Sequence, residues 1–254
     1  MSDSFDSFLV RRFCPSPNHG ERKDQRAIDC VILHYTGMPT GAGALERLCD
    51  VAAQVSSHYF VEEDGTVIQL VSEERRAWHA GVSRWKRDED INSSSIGIEI
   101  VNPGHDGGLP PFPEAQIESV TALCRDICAR RGIAPERVLA HSDIAPGRKI
   151  DPGEKFPWAR LAAAGVGHWV EPSPIIPGPT LAKGAAGPEV AALRAALSLY
   201  GYGIEINVDY DNELKAVVAA FQRHFRPAHV DGVADVSTRD TLRRLIAALP
   251  PRVA

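Results

Sequence analysis

No stretch of this chain approaches the roughly 18 consecutive apolar residues that a membrane-crossing helix needs, so no membrane span is expected. Basic runs are missing as well. The formal net charge is −5, and without a Lys/Arg patch no nucleic-acid partner is expected. Cysteine is sparse: five residues, scattered and without CxxC spacing. Such a set fits reduced thiols better than a disulfide framework. The opening residues, Met1-Ser-Asp-Ser-Phe-Asp6, lack a basic segment followed by an apolar one, so no secretory signal is expected. These absences favour the cytoplasm, or the periplasm or cell envelope if a signal has been removed. No feature specifies an oligomer.

Polar chemistry is concentrated in one stretch, His141-Ser-Asp-Ile-Ala-Pro-Gly-Arg-Lys-Ile-Asp-Pro152. Pro146, Gly147 and Pro152 make this turn-rich segment irregular yet stiff. It carries His141, Asp143, Arg148, Lys149 and Asp151. A second histidine, His34, ends the apolar run Val31-Ile-Leu-His34, with Tyr35 next to it. Open α/β sheets place their sites at such strand ends. Two histidines and one aspartate from separate segments suit a three-ligand Zn2+ site with a fourth position open. Glu99 lies in the apolar strand Ser95-Ile-Gly-Ile-Glu-Ile-Val101. Ile96, Ile98 and Ile100 share one face, leaving Gly97, Glu99 and Val101 on the other. A carboxylate there is either salt-bridged at a sheet edge or a general base tuned by partial burial. Trp78 and His79, in Ala77-Trp-His-Ala-Gly81, either line a pocket for a sugar or peptide or are a packed Trp and a solvent-facing His. Arg148 holds a substrate carboxylate or braces its loop. Asp143 orients His141 or caps the loop backbone, and His58 is a core histidine or stands behind the metal site. His19, His105, His168, His224 and His229 have no partner pattern and are expected at the surface.

Periodicity outlines an α/β fold with a central β-sheet flanked by helices. Residues 1–27 read as an extended wrapping segment. Strands are expected at Cys30–Thr36, across an Asp64-Gly65 hairpin, at Ser95–Val101 and at Arg137–Ala140. Helices are expected at Ala42–Ala53, Pro113–Gly132 and Pro157–Gly165. Pro172, Pro174, Pro177 and Pro179 mark a semi-rigid linker. Beyond it, Pro188–Leu199, Asn212–His224 and Thr238–Leu249 predict a small all-α three-helix domain. A unit this small is expected to lean on its neighbour. The domain reading is 1–166, a linker at 167–182, and 183–254.

Taken in order, several pieces resemble the zinc-dependent N-acetylmuramoyl-L-alanine amidases of the amidase-2 type, an AmpD/AmiD-like family that includes the peptidoglycan recognition proteins. They are Ile32-Leu-His34-Tyr-Thr, Ser57-His-Tyr-Phe-Val, Asp64-Gly65, Ala77-Trp-His-Ala-Gly81, Ser95-Ile-Gly-Ile-Glu99 and the His141–Pro152 stretch. The Trp78-His-Ala-Gly-Val82 wording is nearer the AmiD branch. The resemblance implies a mixed sheet, zinc ligands at His34, His141 and Asp151, and catalytic roles for Glu99 and Lys149. Tyr35, Trp78, His79 and Arg148 are then candidates for touching substrate. The implied reaction is hydrolysis of the amide between the lactyl group of N-acetylmuramic acid, in its 1,6-anhydro form, and L-alanine of a stem peptide. The alternative is a protein that binds muropeptides or peptidoglycan without cleaving them. The tail resembles a three-helix peptidoglycan-binding module, departing from it at Arg194, where Gln is usual, and at Asn207-Val-Asp-Tyr-Asp211.

Overall fold

The computed structural model describes residues 5–250. The entry segment contributes two short strands, β1 (Arg12–Phe13) and β2 (His19–Glu21), before the first long one, β3 (Cys30–Tyr35). Helix α1 (Gly41–Cys49) follows, capped by the Thr40 hydroxyl on the Gly43 N–H. Strands β4 (Tyr59–Val61) and β5 (Val67–Gln69) form the expected hairpin, with Gly65 at φ +86° in its turn. Next come β6 (Arg75–Ala77), a single helical turn α2 (Ile91–Ser94), β7 (Ser95–Ile100), the long α3 (Glu114–Arg131), β8 (Val138–Ala140), the turn α4 (His141–Ile144) and α5 (Trp158–Ala163). Three longer helices end the chain: α6 (Pro188–Tyr200), α7 (Asn212–Phe225) and α8 (Val236–Ala247).

Six strands form one mixed sheet in the order β1-β5-β4-β7-β3-β8. The pairing of β3 with its neighbours β7 and β8 is parallel, as is that of β4 with β7. Strands β2 and β6 pair separately and antiparallel, a ribbon that the weak alternation of residues 19–21 had not suggested. The sheet buries both faces. Ile96, Ile98 and Ile100 meet Val31 and Leu33 under α3, whose Ile117, Val120, Leu123, Cys124 and Ile127 form its buried stripe. This is the face the isoleucine alternation predicted.

The opposite face is closed by the C-terminal helices. Cys30, Ile32, Trp85 and Ile144 share one apolar cluster with Leu214, Val217, Phe221 and Phe225. Each fully buried aliphatic or Phe side chain contributes about 1.5–3 kcal/mol, so the helical unit and the sheet stabilise one another. The proline-rich segment is pinned rather than loose. The Ser173 N–H donates to the Thr241 hydroxyl, and Ser237 donates to the Ser173 carbonyl. Arg194 is fully buried and donates to the Asp209 and Glu205 carbonyls, bracing the loop between α6 and α7. Among the described residues, no helix is long and apolar enough to cross a membrane.

Candidate active site

The parallel register of β3 and β7 sets His34 directly beside Glu99, with Ile32 beside Gly97. Register partners in a parallel pair share a face, so the strand-end histidine and the strand carboxylate look into one space. Strand β8 then delivers His141 at the start of α4. The loop doubles back, held by Ser142 N–H on the Asp151 carbonyl at 3.0 Å and by Lys149 N–H on the Ala145 carbonyl at 3.0 Å. Asp151 is thereby returned to His141.

The result is a tight triangle. His34 Nδ1 lies 2.9 Å from His141 Nδ1, and Asp151 Oδ2 lies 3.1 and 3.0 Å from the two nitrogens. All three residues are buried. The surrounding hydrogen bonds decide which nitrogens carry protons. His141 Nε2 is 3.0 Å from the Ala80 carbonyl, which can only accept, so the proton is on Nε2 and Nδ1 is bare. The Ser95 hydroxyl donates to the Ile91 carbonyl at 2.5 Å and so accepts from His79 Nε2 at 3.1 Å. His79 Nδ1 is then an acceptor for His34 Nε2 at 3.0 Å, which leaves His34 Nδ1 bare too. Three electron pairs converge with no proton between them. A cation fits that corner, and a nitrogen, nitrogen, carboxylate set is the donor chemistry of zinc.

The charges agree. Burial, and then the proximity of His141, lowers the His34 pKa to about 4, so it is neutral near pH 7. Burial opposes ionisation of Asp151, and with both facing nitrogens bare no imidazole proton offsets that, so a cation in the corner is what its charge calls for. Burial, and then the Asp151 charge, push Glu99 well above the ordinary carboxylate value, with Lys149 pulling back. Its Oε2 is buried with no hydrogen-bond partner.

These groups line a cavity of about 410 Å³ walled by Tyr35, Trp78, Glu99, Lys149 and Asp151, with Arg47 of α1 on its edge. Three residues for which the sequence left alternatives open are placed by their hydrogen bonds. His79 is not solvent-facing: it is 8% exposed, lies on the cavity wall, and has both ring nitrogens engaged by His34 and Ser95. Arg148 braces its loop, donating to the Ala80 and Val82 carbonyls at 2.6 Å each. His58 is a core residue whose Nδ1 accepts from the Gly97 N–H at 3.0 Å and whose Nε2 reaches the Arg75 carbonyl. Among the histidines expected at the surface, His224 and His105 pack close to the site. His224 is 2% exposed and lies 2.6 Å from Asp143. His105 bridges the Tyr35 hydroxyl and Glu154. Sequence reasoning missed Ser95 and Asn92, whose side-chain oxygen accepts from the His79 and Ala80 N–H groups. Their signal, polar residues in and beside an apolar strand, was present but not distinctive.

The N-acetylmuramoyl-L-alanine amidase family model matches residues 24–154, about half of the chain and the span that builds this site. The chain belongs to that amidase family. A peptidoglycan binding domain model matches residues 186–242. The chain is 39% identical over 235 residues to the N-acetylmuramoyl-L-alanine amidase AmiD of Escherichia coli, covering 86% of this chain and 82% of that one. It is 32% identical over 169 residues to the 1,6-anhydro-N-acetylmuramyl-L-alanine amidase AmpD of Enterobacter cloacae, covering 60% of this chain and 88% of the relative. Among solved structures, E. coli AmiD with anhydro-N-acetylmuramic acid-L-Ala-D-gamma-Glu-L-Lys superposes with TM-score 0.75 at 36% identity, covering 89% and 91% of the two chains. AmpDh3 of Pseudomonas aeruginosa with anhydromuramic pentapeptide gives 0.70 at 32%, covering 94% and 96%. The mixed sheet with its helical annex is thus an architecture shared with AmiD and AmpDh3.

Proposed function

We propose that this amidase cleaves the bond between the lactyl carbonyl of 1,6-anhydro-N-acetylmuramic acid and the L-alanine nitrogen of a stem peptide, using one zinc ion held by His34, His141 and Asp151. The observation that carries the reading is the triangle of three bare donor atoms in the same cavity as the unpartnered Glu99 oxygen. Zinc at these ligands would supply Lewis-acid activation of water and of the amide carbonyl. Glu99 accepts the proton of the attacking water as the C–O bond forms, and returns it to the alanine nitrogen as the C–N bond breaks. Its raised affinity for a proton suits the second half of that transfer. Lys149, on the cavity wall, sets its ammonium against the negative charge that develops on the carbonyl oxygen; one such donor is commonly worth about 10² to 10³ in rate. Tyr35 and Trp78 offer aromatic faces to the sugar or peptide.

The substrate assignment follows the anhydromuramyl peptides bound by the two structural relatives. We place the work in recycling of wall fragments in the cytoplasm. The five free thiols suit a reducing compartment, and cell fractionation checks it. The domain matching a peptidoglycan-binding family gives a second mode, contact with polymeric wall. The test is mass spectrometry of a purified 1,6-anhydromuropeptide incubated with zinc-loaded protein, beside His34→Ala and Glu99→Ala. Free stem peptide and anhydro-sugar, absent from both controls, are expected. Intact substrate and intact sacculi, with zinc bound stoichiometrically, would instead establish a recognition protein.

A further inference from the structure

The helical unit presses on the metal loop itself. Asp143, two residues after His141, is fully buried. Its Oδ2 accepts from the Ala140 N–H at 2.8 Å and lies 2.6 Å from His224 Nδ1, while its Oδ1 accepts from the Tyr202 hydroxyl at 2.7 Å. Tyr202 follows α6 and His224 lies near the end of α7, so both side-chain partners of this carboxylate come from the helical unit. Neither donor is free to turn. The His224 ring stacks on Trp158, with centroids 3.7 Å apart, and on Phe225, at 3.8 Å. Tyr202 packs edge-on against the fully buried Trp85, which belongs to the sheet side of the molecule. The contact continues along α7: a Cβ on Gly147 would stand 3.2 Å from Ala216, and Arg223 lies 3.9 Å from Glu154.

We propose that Tyr202 and His224 are positioning residues of the active site, holding the 141–151 loop, through Asp143, in the form that brings His141 and Asp151 to His34. A buried carboxylate stripped of its donors is strongly unfavourable unless it reaches water. Here the route to water is an opening of α4, and His141 is the first residue of that turn. The AmpD relative of Enterobacter cloacae aligns with only 60% of this chain yet 88% of its own length, so a family fold can be built without this annex. In this chain the carboxylate is sealed beneath α7, and its partners have to come from there. The inference rests on reading the three ligands as a zinc site, but not on which bond is cleaved.

The experiment uses the full chain. Zinc affinity is measured by competition with a chromophoric chelator, and the visible spectrum of the cobalt-substituted protein is recorded. The double variant Tyr202→Phe/His224→Phe keeps the aromatic packing and removes both donors. A loss of about 10- to 100-fold in zinc affinity, the scale for partners that orient metal ligands, and an altered cobalt spectrum are expected. His224→Asn with Tyr202 intact offers an N–H near the position of Nδ1 and should restore most of the affinity. Leu245→Ala, in the core of the same helical unit, should lower the unfolding midpoint and leave zinc affinity unchanged. If the double variant does not fold, Tyr202→Phe alone carries the test, with an expected loss of about fivefold. Zinc affinity within twofold of wild type in the donor-lacking variants overturns the proposal. So does an equal loss in Leu245→Ala, which would mean general loosening. A wild-type chain that binds no zinc overturns the metal reading itself.

Discussion

Replacing Gly97 by alanine tests the packing behind His34. Gly97 sits in β7 and is completely surrounded, and a Cβ built there would lie 2.5 Å from His79 Cγ. Ordinary contact begins near 3.4 Å, so the imidazole must shift by roughly 0.9 Å, a displacement large enough to break a hydrogen bond. The His34 Nε2 to His79 Nδ1 bond is 3.0 Å now, and such a shift stretches or bends it past usefulness. Overpacking of a core typically costs about 1–3 kcal/mol. The lost flexibility of glycine returns about 0.5–1 kcal/mol. The net expectation is a destabilisation of about 0–2.5 kcal/mol, small enough for the protein to remain folded. Zinc affinity should fall further than stability suggests, by about 10- to 100-fold, because His34 loses the group that fixes its tautomer. Urea unfolding of the metal-free protein and chelator competition, run on the same preparations, separate the two effects. Zinc binding within twofold of wild type in a folded Gly97→Ala protein would refute the relay from Ser95 through His79 to His34.

Glu99→Gln keeps the shape of the side chain and removes its basicity; kcat should fall about 10²- to 10⁴-fold with zinc stoichiometry unchanged, measured by product mass spectrometry and metal analysis. Glu73→Leu should destabilise by about 2–4 kcal/mol in urea unfolding, somewhat less than a fully buried broken pair: buried Glu73 accepts from Tyr59, Arg130 and Arg131, and both arginines can still reach water. For the metal-free protein, acid should weaken the fold. Burial holds His34 down to about 4 and, aided by the charge of Arg22, His58 down to about 3, whereas unfolded histidine titrates near 6.5. The unfolded chain therefore takes protons first, and stability present above pH ~6.5 is lost as pH falls toward those values, at about 1.4 kcal/mol per pH unit for each ring. A flat stability profile between pH 7 and 5 would count against buried neutral histidines.

What the sequence determined by itself was local and periodic. The alternation Ile96, Ile98, Ile100 gave a strand and its buried face. The Pro113 and Gly132 punctuation bounded α3 within a residue at each end, and Asp64-Gly65 announced the hairpin. The loop from His141 to Pro152 could be recognised as a site because so many costly polar groups share twelve residues stiffened by proline and glycine. These signals survive in one dimension because helix, strand and turn preferences act over a few residues.

Tertiary structure alone decided the rest. That His79 bonds to His34 depends on the empty volume at Gly97, and a glycine in a strand does not say which side chain will fill it. That Asp143 is sealed by Tyr202 and His224 depends on pairs 59 and 81 residues apart, brought together only when α7 lies along the loop. His224 looked like a surface residue because a lone histidine carries no periodic signal. Its burial follows from where a whole helix packs, and with it the protonation and partners of the metal site are fixed by long-range contacts that no local pattern encodes.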